Sequence, residues 1–161
     1  DTYATALHEE LGAQLKSLRR PTDCVLIRDD VLAVADYYGP TVHLVSLIGG
    51  SVAQVGSASK RRRGCTALDR PSGLAVEPSS GSLLVAEAGA QCVSVFSVHA
   101  QPTAINTVAY QSEHLCDICC EQIGSGLHIP RNGQWSWLSI ACTSGGDILI
   151  ADCDNHVVYV V

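Results

Sequence analysis

The stretch ILIADCDNHVVYV, residues 148–160, consists of an apolar run, a cluster of short polar residues and a second apolar run. Apolar runs this short, bounded by Asp and Gly, are typical of β-strands and too short for helices. Asp and Asn favour the turn between two strands, because their side chains bond nearby backbone N–H groups. The cluster also places Asp152, Asp154 and His156 within reach of one metal ion. A hairpin turn is the favoured interpretation, and a metal site is the alternative.

The same pattern occurs in three segments of the chain, which is the signature of a repeat architecture. The segments cover residues 21–47, 71–97 and 136–161. In each segment the second apolar run ends in an acid, and these ends superpose: Val34-Ala35-Asp36, Val85-Ala86-Glu87 and Ile150-Ala151-Asp152. An acid that recurs at the turn of each repeat is better explained by the fold than by chemistry.

A fourth run follows in two of the segments, at residues 51–56 and 103–110. Four short strands followed by a longer connector are the pattern of a β-propeller blade. The sequence therefore predicts an all-β fold of four-stranded antiparallel blades, about three blade equivalents in a single domain over residues 1–161. The predicted blade units are about 21–57, 71–110 and 136–161, with a Cys-rich insertion at 111–134.

Two motifs resemble the NHL-repeat family of β-propellers. PSGLAVE at residues 71–77, followed by Gly81, is similar to the first strand and Gly turn of that repeat. ADCDNHVV at residues 151–158 is similar to the Asn-His motif that names the family. The resemblance covers roughly residues 20–161. It implies a propeller that presents its blade loops to a macromolecular partner, and a non-catalytic protein-interaction scaffold is the expected role.

Three blades are too few to close a ring, since propellers have typically four to eight. An open stack leaves apolar blade faces and strand edges in water, which invites association. We expect closure either by blades absent from this chain or by a second copy in a homodimer. The segment at residues 2–7 reads as a strand in the fourth-strand position. Alternatively, residues 7–20 form an amphipathic helix, since leucines recur there at spacings of three and four.

The predicted insertion carries the residues with the clearest metal-ligand spacing. These are His114, Cys116, Cys119, Cys120 and His128. Cys-x-x-Cys places two thiolates at zinc-ligand distance, and a histidine could complete the set. A disulfide and ordinary thiols are the alternatives, and ordinary thiols are favoured. The cysteines within apolar runs, Cys24, Cys92 and Cys142, are predicted to be small buried hydrophobes.

Two further groups are candidates for partner binding. The basic run Lys60, Arg61, Arg62 and Arg63 could contact RNA or an acidic protein, but a solvated loop is favoured because no aromatic residue lies nearby to stack a base. Trp135 and Trp137 could anchor an interface. Packing between blades is the favoured interpretation of this pair.

Composition narrows the class of function. The 161-residue chain is 47% hydrophobic and carries a net charge of −6, which disfavours nucleic acid as the main partner. It has no apolar run long enough to span a membrane and no Asn-x-Ser/Thr acceptor, which leans towards an intracellular protein. A protein-binding scaffold without a cofactor is the expected function. The alternatives are an RNA-binding propeller and a lyase- or hydrolase-type enzyme with a metal in the central channel. The predicted inner strands, residues 23–27, 73–77 and 138–142, contain no histidine to hold that metal.

Overall fold

The described part of the chain folds into three antiparallel β-sheets that follow one another along the sequence. The computed structural model describes residues 12, 15, 16, 18–47, 52–56, 67–102, 108–119 and 138–161. Sheet one contains β1 (Pro21–Arg28), β2 (Val31–Asp36), β3 (Val42–Ser46) and β4 (Val52–Val55). Sheet two contains β5 (Pro71–Val76), β6 (Leu83–Glu87), β7 (Cys92–Pro102) and β8 (Val108–Cys119). Sheet three contains β9 (Leu138–Cys142), β10 (Ile148–Asp152) and β11 (Val157–Val160). The prediction of an all-β fold with antiparallel sheets is confirmed.

The three sheets share one register, except that the first strands of sheets one and two each carry an irregularity after their first residue that sheet three lacks. In each sheet the acid that ends the second strand pairs with the first residue of the first strand, as Pro21 with Asp36, Pro71 with Glu87 and Leu138 with Asp152. This is the superposition that the sequence repeats predict. Side chains alternate between the two faces of a strand. Because the registers match, residues at matching positions in the three sheets lie on the same face of their sheet.

The sheets are stacked through two apolar cores. Core one joins sheets one and two, and its fully buried members include Leu44, Val55 and Phe96. Core two joins sheets two and three, with Leu84, Val93 and Ile150 among its buried members. Sheet two is therefore covered on both faces, which explains why β5 and β6 are buried along almost their whole length.

The first strands of the three sheets lie side by side, with β1 against β5 and β5 against β9. Two hydrogen bonds cross between the first two of them. The Leu74 N–H donates to Asp23 Oδ2 at 2.8 Å, and the Thr22 hydroxyl donates to the carbonyl of Pro71 at 3.4 Å. These bonds hold the inner edges of neighbouring sheets together.

The fold differs from the expectations at several points. Strand β8 runs to Cys119, so the first part of the Cys-rich stretch belongs to sheet two and pairs with the long strand β7. Cys92 is buried as predicted, whereas Cys24 is exposed and Cys142 half-buried. The prediction of a buried Cys24 is wrong because this side chain lies on the outer face of sheet one, where no further sheet packs within the described residues. The predicted strand at 2–7 lies outside the described residues. No helix in the described part of the chain is long and apolar enough to cross a bilayer.

Candidate functional site

The recurring acids hold the turns and connectors of the fold. Asp36 is only 3% exposed, and its carboxylate accepts the backbone N–H of Arg20 at 2.7 Å and of Arg19 at 3.0 Å. Glu87 uses one oxygen in the same way, accepting the N–H of Asp69 at 2.6 Å. In both sheets the acid ties the segment that enters the first strand to the end of the second strand.

The third acid closes its own hairpin turn. Asp152, which is 1% exposed, accepts the N–H of Asn155 at 3.2 Å and its side-chain amide at 2.6 Å. His156 adopts the left-handed conformation with φ of 55°, which is a turn geometry. Asp154 and His156 are exposed. The polar cluster of the opening stretch is therefore a hairpin turn held by Asp152 and Asn155, and its side chains do not converge on a common point among the described residues.

A partly buried polar cluster lies in sheet two, where Glu87 is longer than the aspartates at the equivalent positions. Its second oxygen, Oε1, accepts a hydrogen bond from the Ser94 hydroxyl and lies 3.7 Å from the Cys92 thiol. Asp117 Oδ1 lies 2.6 Å from the same hydroxyl and 2.8 Å from His114 Nε2. These five residues, Glu87, Cys92, Ser94, His114 and Asp117, are called the sheet-two cluster below.

The order of contacts in the sheet-two cluster does not fit nucleophilic catalysis. A serine nucleophile needs a base, usually histidine, that takes its proton directly. Here Ser94 and His114 both bond Oδ1 of Asp117, and no hydrogen bond joins the imidazole to the hydroxyl among the contacts described for the cluster. The buried Cys92 Sγ lies 3.7 Å from Glu87 Oε1, and none of the hydrogen bonds described above for the cluster joins it to a histidine.

The cluster holds its two carboxylates close together. Ligand atoms of Glu87, Cys92 and Asp117 all lie within 4.8 Å of one another. Two carboxylate charges at that separation repel by on the order of 3 kcal/mol at an effective dielectric constant of about 20. Ser94 has one hydroxyl proton for the two carboxylates, and His114 Nε2, which lies 2.8 Å from Asp117 Oδ1, is a second hydrogen-bonding partner for Asp117. Two carboxylates and a thiolate are a donor set that zinc accepts.

The predicted zinc ligands are only partly placed by the structure. His114 pairs with Phe96 and packs against its ring at 5.2 Å, whereas Cys116 pairs with Val95. An irregularity at Leu115 separates these pairs, so His114 and Cys116 face opposite sides of sheet two. The side chain of Cys119, and the residues Cys120 and His128, lie outside the described residues, and the predicted set as a whole stays a prediction.

The sequence did not single out Glu87, Ser94 and Asp117 as a group, because Asp117 lies 23 residues beyond Ser94 in the chain. One signal was present: a glutamate stands where the other two repeats have aspartate. The partner-binding candidates Lys60, Arg61, Arg62, Arg63, Trp135 and Trp137 lie outside the described residues.

The outer face of sheet three is the most exposed apolar surface in the described part of the chain. Val158 is 62% exposed, although its equivalents Val42 and Val93, each also opposite an alanine, are fully buried. Val160 is 64% exposed, whereas the equivalent Leu44 and Val95 are 0% and 9% exposed. In sheets one and two these positions pack against the next sheet. In sheet three nothing within the described residues covers them.

Comparison of the chain with known protein families and with curated proteins finds no significant match.

Proposed function

We propose that this chain is an arc of three propeller-type blades of the NHL kind, and that it works as a non-catalytic protein-interaction scaffold. The three sheets share one register and stack with their first strands adjacent, as blades do around a propeller axis. The order of contacts in the sheet-two cluster supports a role other than nucleophilic catalysis.

One observation carries the proposal: the outer face of sheet three exposes Val158 and Val160 at positions that are buried in the other two sheets. Burying two valines that are more than 60% exposed stabilises a complex by about 2–4 kcal/mol. The partner surface that fits is the apolar face of another β-sheet, because that is what covers the equivalent residues in sheets one and two.

The test is the association of the purified chain, measured by sedimentation equilibrium over a range of concentrations. The double variant Val158→Thr/Val160→Thr keeps the shape of both side chains but places hydroxyls in the contact. We expect association to weaken by roughly 30-fold, which corresponds to a loss of about 2 kcal/mol.

Val157→Thr is the matched control, because it makes the same substitution on the same strand. Val157 is 39% exposed and lies on the other face of sheet three, since neighbouring residues of a strand point to opposite faces. The control should associate as the wild type does. If wild type and double variant associate equally, or both sediment as single chains at every concentration, the surface is not a docking site.

A further inference from the structure

The outer face of sheet one is the counterpart of two faces that are buried in the interior. Cys24 pairs with Val34 in sheet one as Leu74 pairs with Val85 in sheet two and Ile140 with Ile150 in sheet three. Leu74 and Val85 belong to core one, and Ile140 and Ile150 belong to core two. In both cores this face receives the preceding sheet. Sheet one has the same face, and no sheet precedes it within the described residues.

This receiving face is apolar and only partly covered. Cys24 is exposed, and Leu26, which pairs with Leu32 on the same face, is 53% exposed. A cavity of about 630 Å³ opens here. Its lining is Leu15, Leu18, Pro21, Thr22, Asp23, Cys24, Leu32 and Val34.

The one carboxylate at the cavity already has partners. Asp23 accepts the N–H of Cys24 through Oδ1 at 2.8 Å and that of Leu74 through Oδ2 at 2.8 Å. Covering this face would therefore not bury an unpaired charge. Burial of an unpaired charge costs free energy and would oppose docking.

Sheet three presents the complementary face, with Val158 and Val160 in the positions that pack onto a receiving face elsewhere in the molecule. We propose that sheet three of one copy packs on the outer face of sheet one of a second copy. This inference rests on the proposed function and names its partner. The contact is head-to-tail, so it either closes into a ring or continues as a filament. The three described sheets of each of two copies would supply six of the blades of such a ring, within the typical range for propellers.

A dimer could form by the head-to-tail contact or by a contact between two copies of sheet three. These two arrangements differ in the exposure of Cys24, and this difference can be tested. A head-to-tail contact covers this thiol, whereas a contact between two copies of sheet three leaves it in water. We would label the chain with iodoacetamide at rising protein concentration and follow each cysteine by peptide mass spectrometry. Cys116, which is exposed on β8 of sheet two, serves as the control within the same molecule.

The expected result is that Cys24 labels at least fivefold more slowly in the associated species, while the labelling rate of Cys116 does not change. In the Val158→Thr/Val160→Thr variant, labelling of Cys24 should return to the rate of the dilute chain. Association that depends on Val158 and Val160 but leaves Cys24 labelled at full rate would overturn the head-to-tail contact and leave the proposed function standing. Absence of association would overturn both.

Discussion

Replacing Asp36 by alanine tests whether the recurring acid fastens the chain to its sheet. The carboxylate is almost fully buried and accepts two backbone N–H groups, from Arg19 and Arg20. A hydrogen bond to a charged group contributes about 1.5–3 kcal/mol. Water can reach the part-buried donors after the substitution, so the lower end of that range applies to each bond. We expect Asp36→Ala to lower the free energy of unfolding by about 3 kcal/mol.

Urea unfolding followed by circular dichroism measures this loss. With a denaturant dependence of about 2 kcal/mol per molar, the midpoint should fall by about 1.5 M. Asp36→Asn retains one acceptor oxygen of the same shape and should lose about half as much. Asp154→Ala is the matched control, because Asp154 is an exposed acid in the turn of sheet three. A midpoint for Asp36→Ala within about 0.3 M of that control would refute the role of the acid.

Three further predictions concern turns and pH. Gly146 has a φ of 95°, a backbone conformation that strains any residue with a Cβ atom, whereas Gly145 does not have a positive φ. Gly146→Ala should therefore lower the free energy of unfolding in urea by about 1–2 kcal/mol more than Gly145→Ala. Burial lowers the pKa of His43, against the opposing charge of Asp36. Stability should therefore fall as pH drops below about 6.5, and His43→Gln should remove that fall in the urea midpoint. Hydrogen bonds from Ser80 and Ser79 lower the pKa of Glu77 from 4.5 to about 2. The contribution of the ionised Glu77 to the free energy of unfolding is therefore complete above pH 4.5 and is lost as the pH falls towards 2. An NMR titration measures the pKa of Glu77, and acid unfolding of Glu77→Gln should show that this contribution is missing.

The sequence was informative where local signals determine the structure. Short apolar runs between turn residues located the strands, and the acid at the end of the second run, such as Asp36, gave the common register. Both depend on residues close together in the chain. The hairpin turn at Asp152 followed from the same kind of signal, because short polar side chains satisfy nearby backbone groups.

The remaining features depend on contacts between distant segments. The exposure of Cys24 depends on which element covers the outer face of sheet one. The sequence around this cysteine does not indicate that element. Apolar and polar residues do not alternate around Leu115, so the sequence did not predict that β8 continues to Cys119. The irregularity at this leucine then places His114 and Cys116 on opposite faces, whereas simple alternation would give them the same face. The sheet-two cluster forms only because β8 pairs with β7 and brings Asp117 opposite Ser94.

The edge strands of sheets two and three differ in a way that supports our proposal of a partner at sheet three. Exposed strand edges promote unwanted pairing, and proteins protect them with charges, bulges or proline. The edge strand β8 carries Glu113 and Asp117 and an irregularity at Leu115. The edge strand β11 has the sequence Val-Val-Tyr-Val, without a charge, a proline or a register shift in its pairing with β10. The contrast between these two edges supports our proposal that a partner covers the outer face of sheet three.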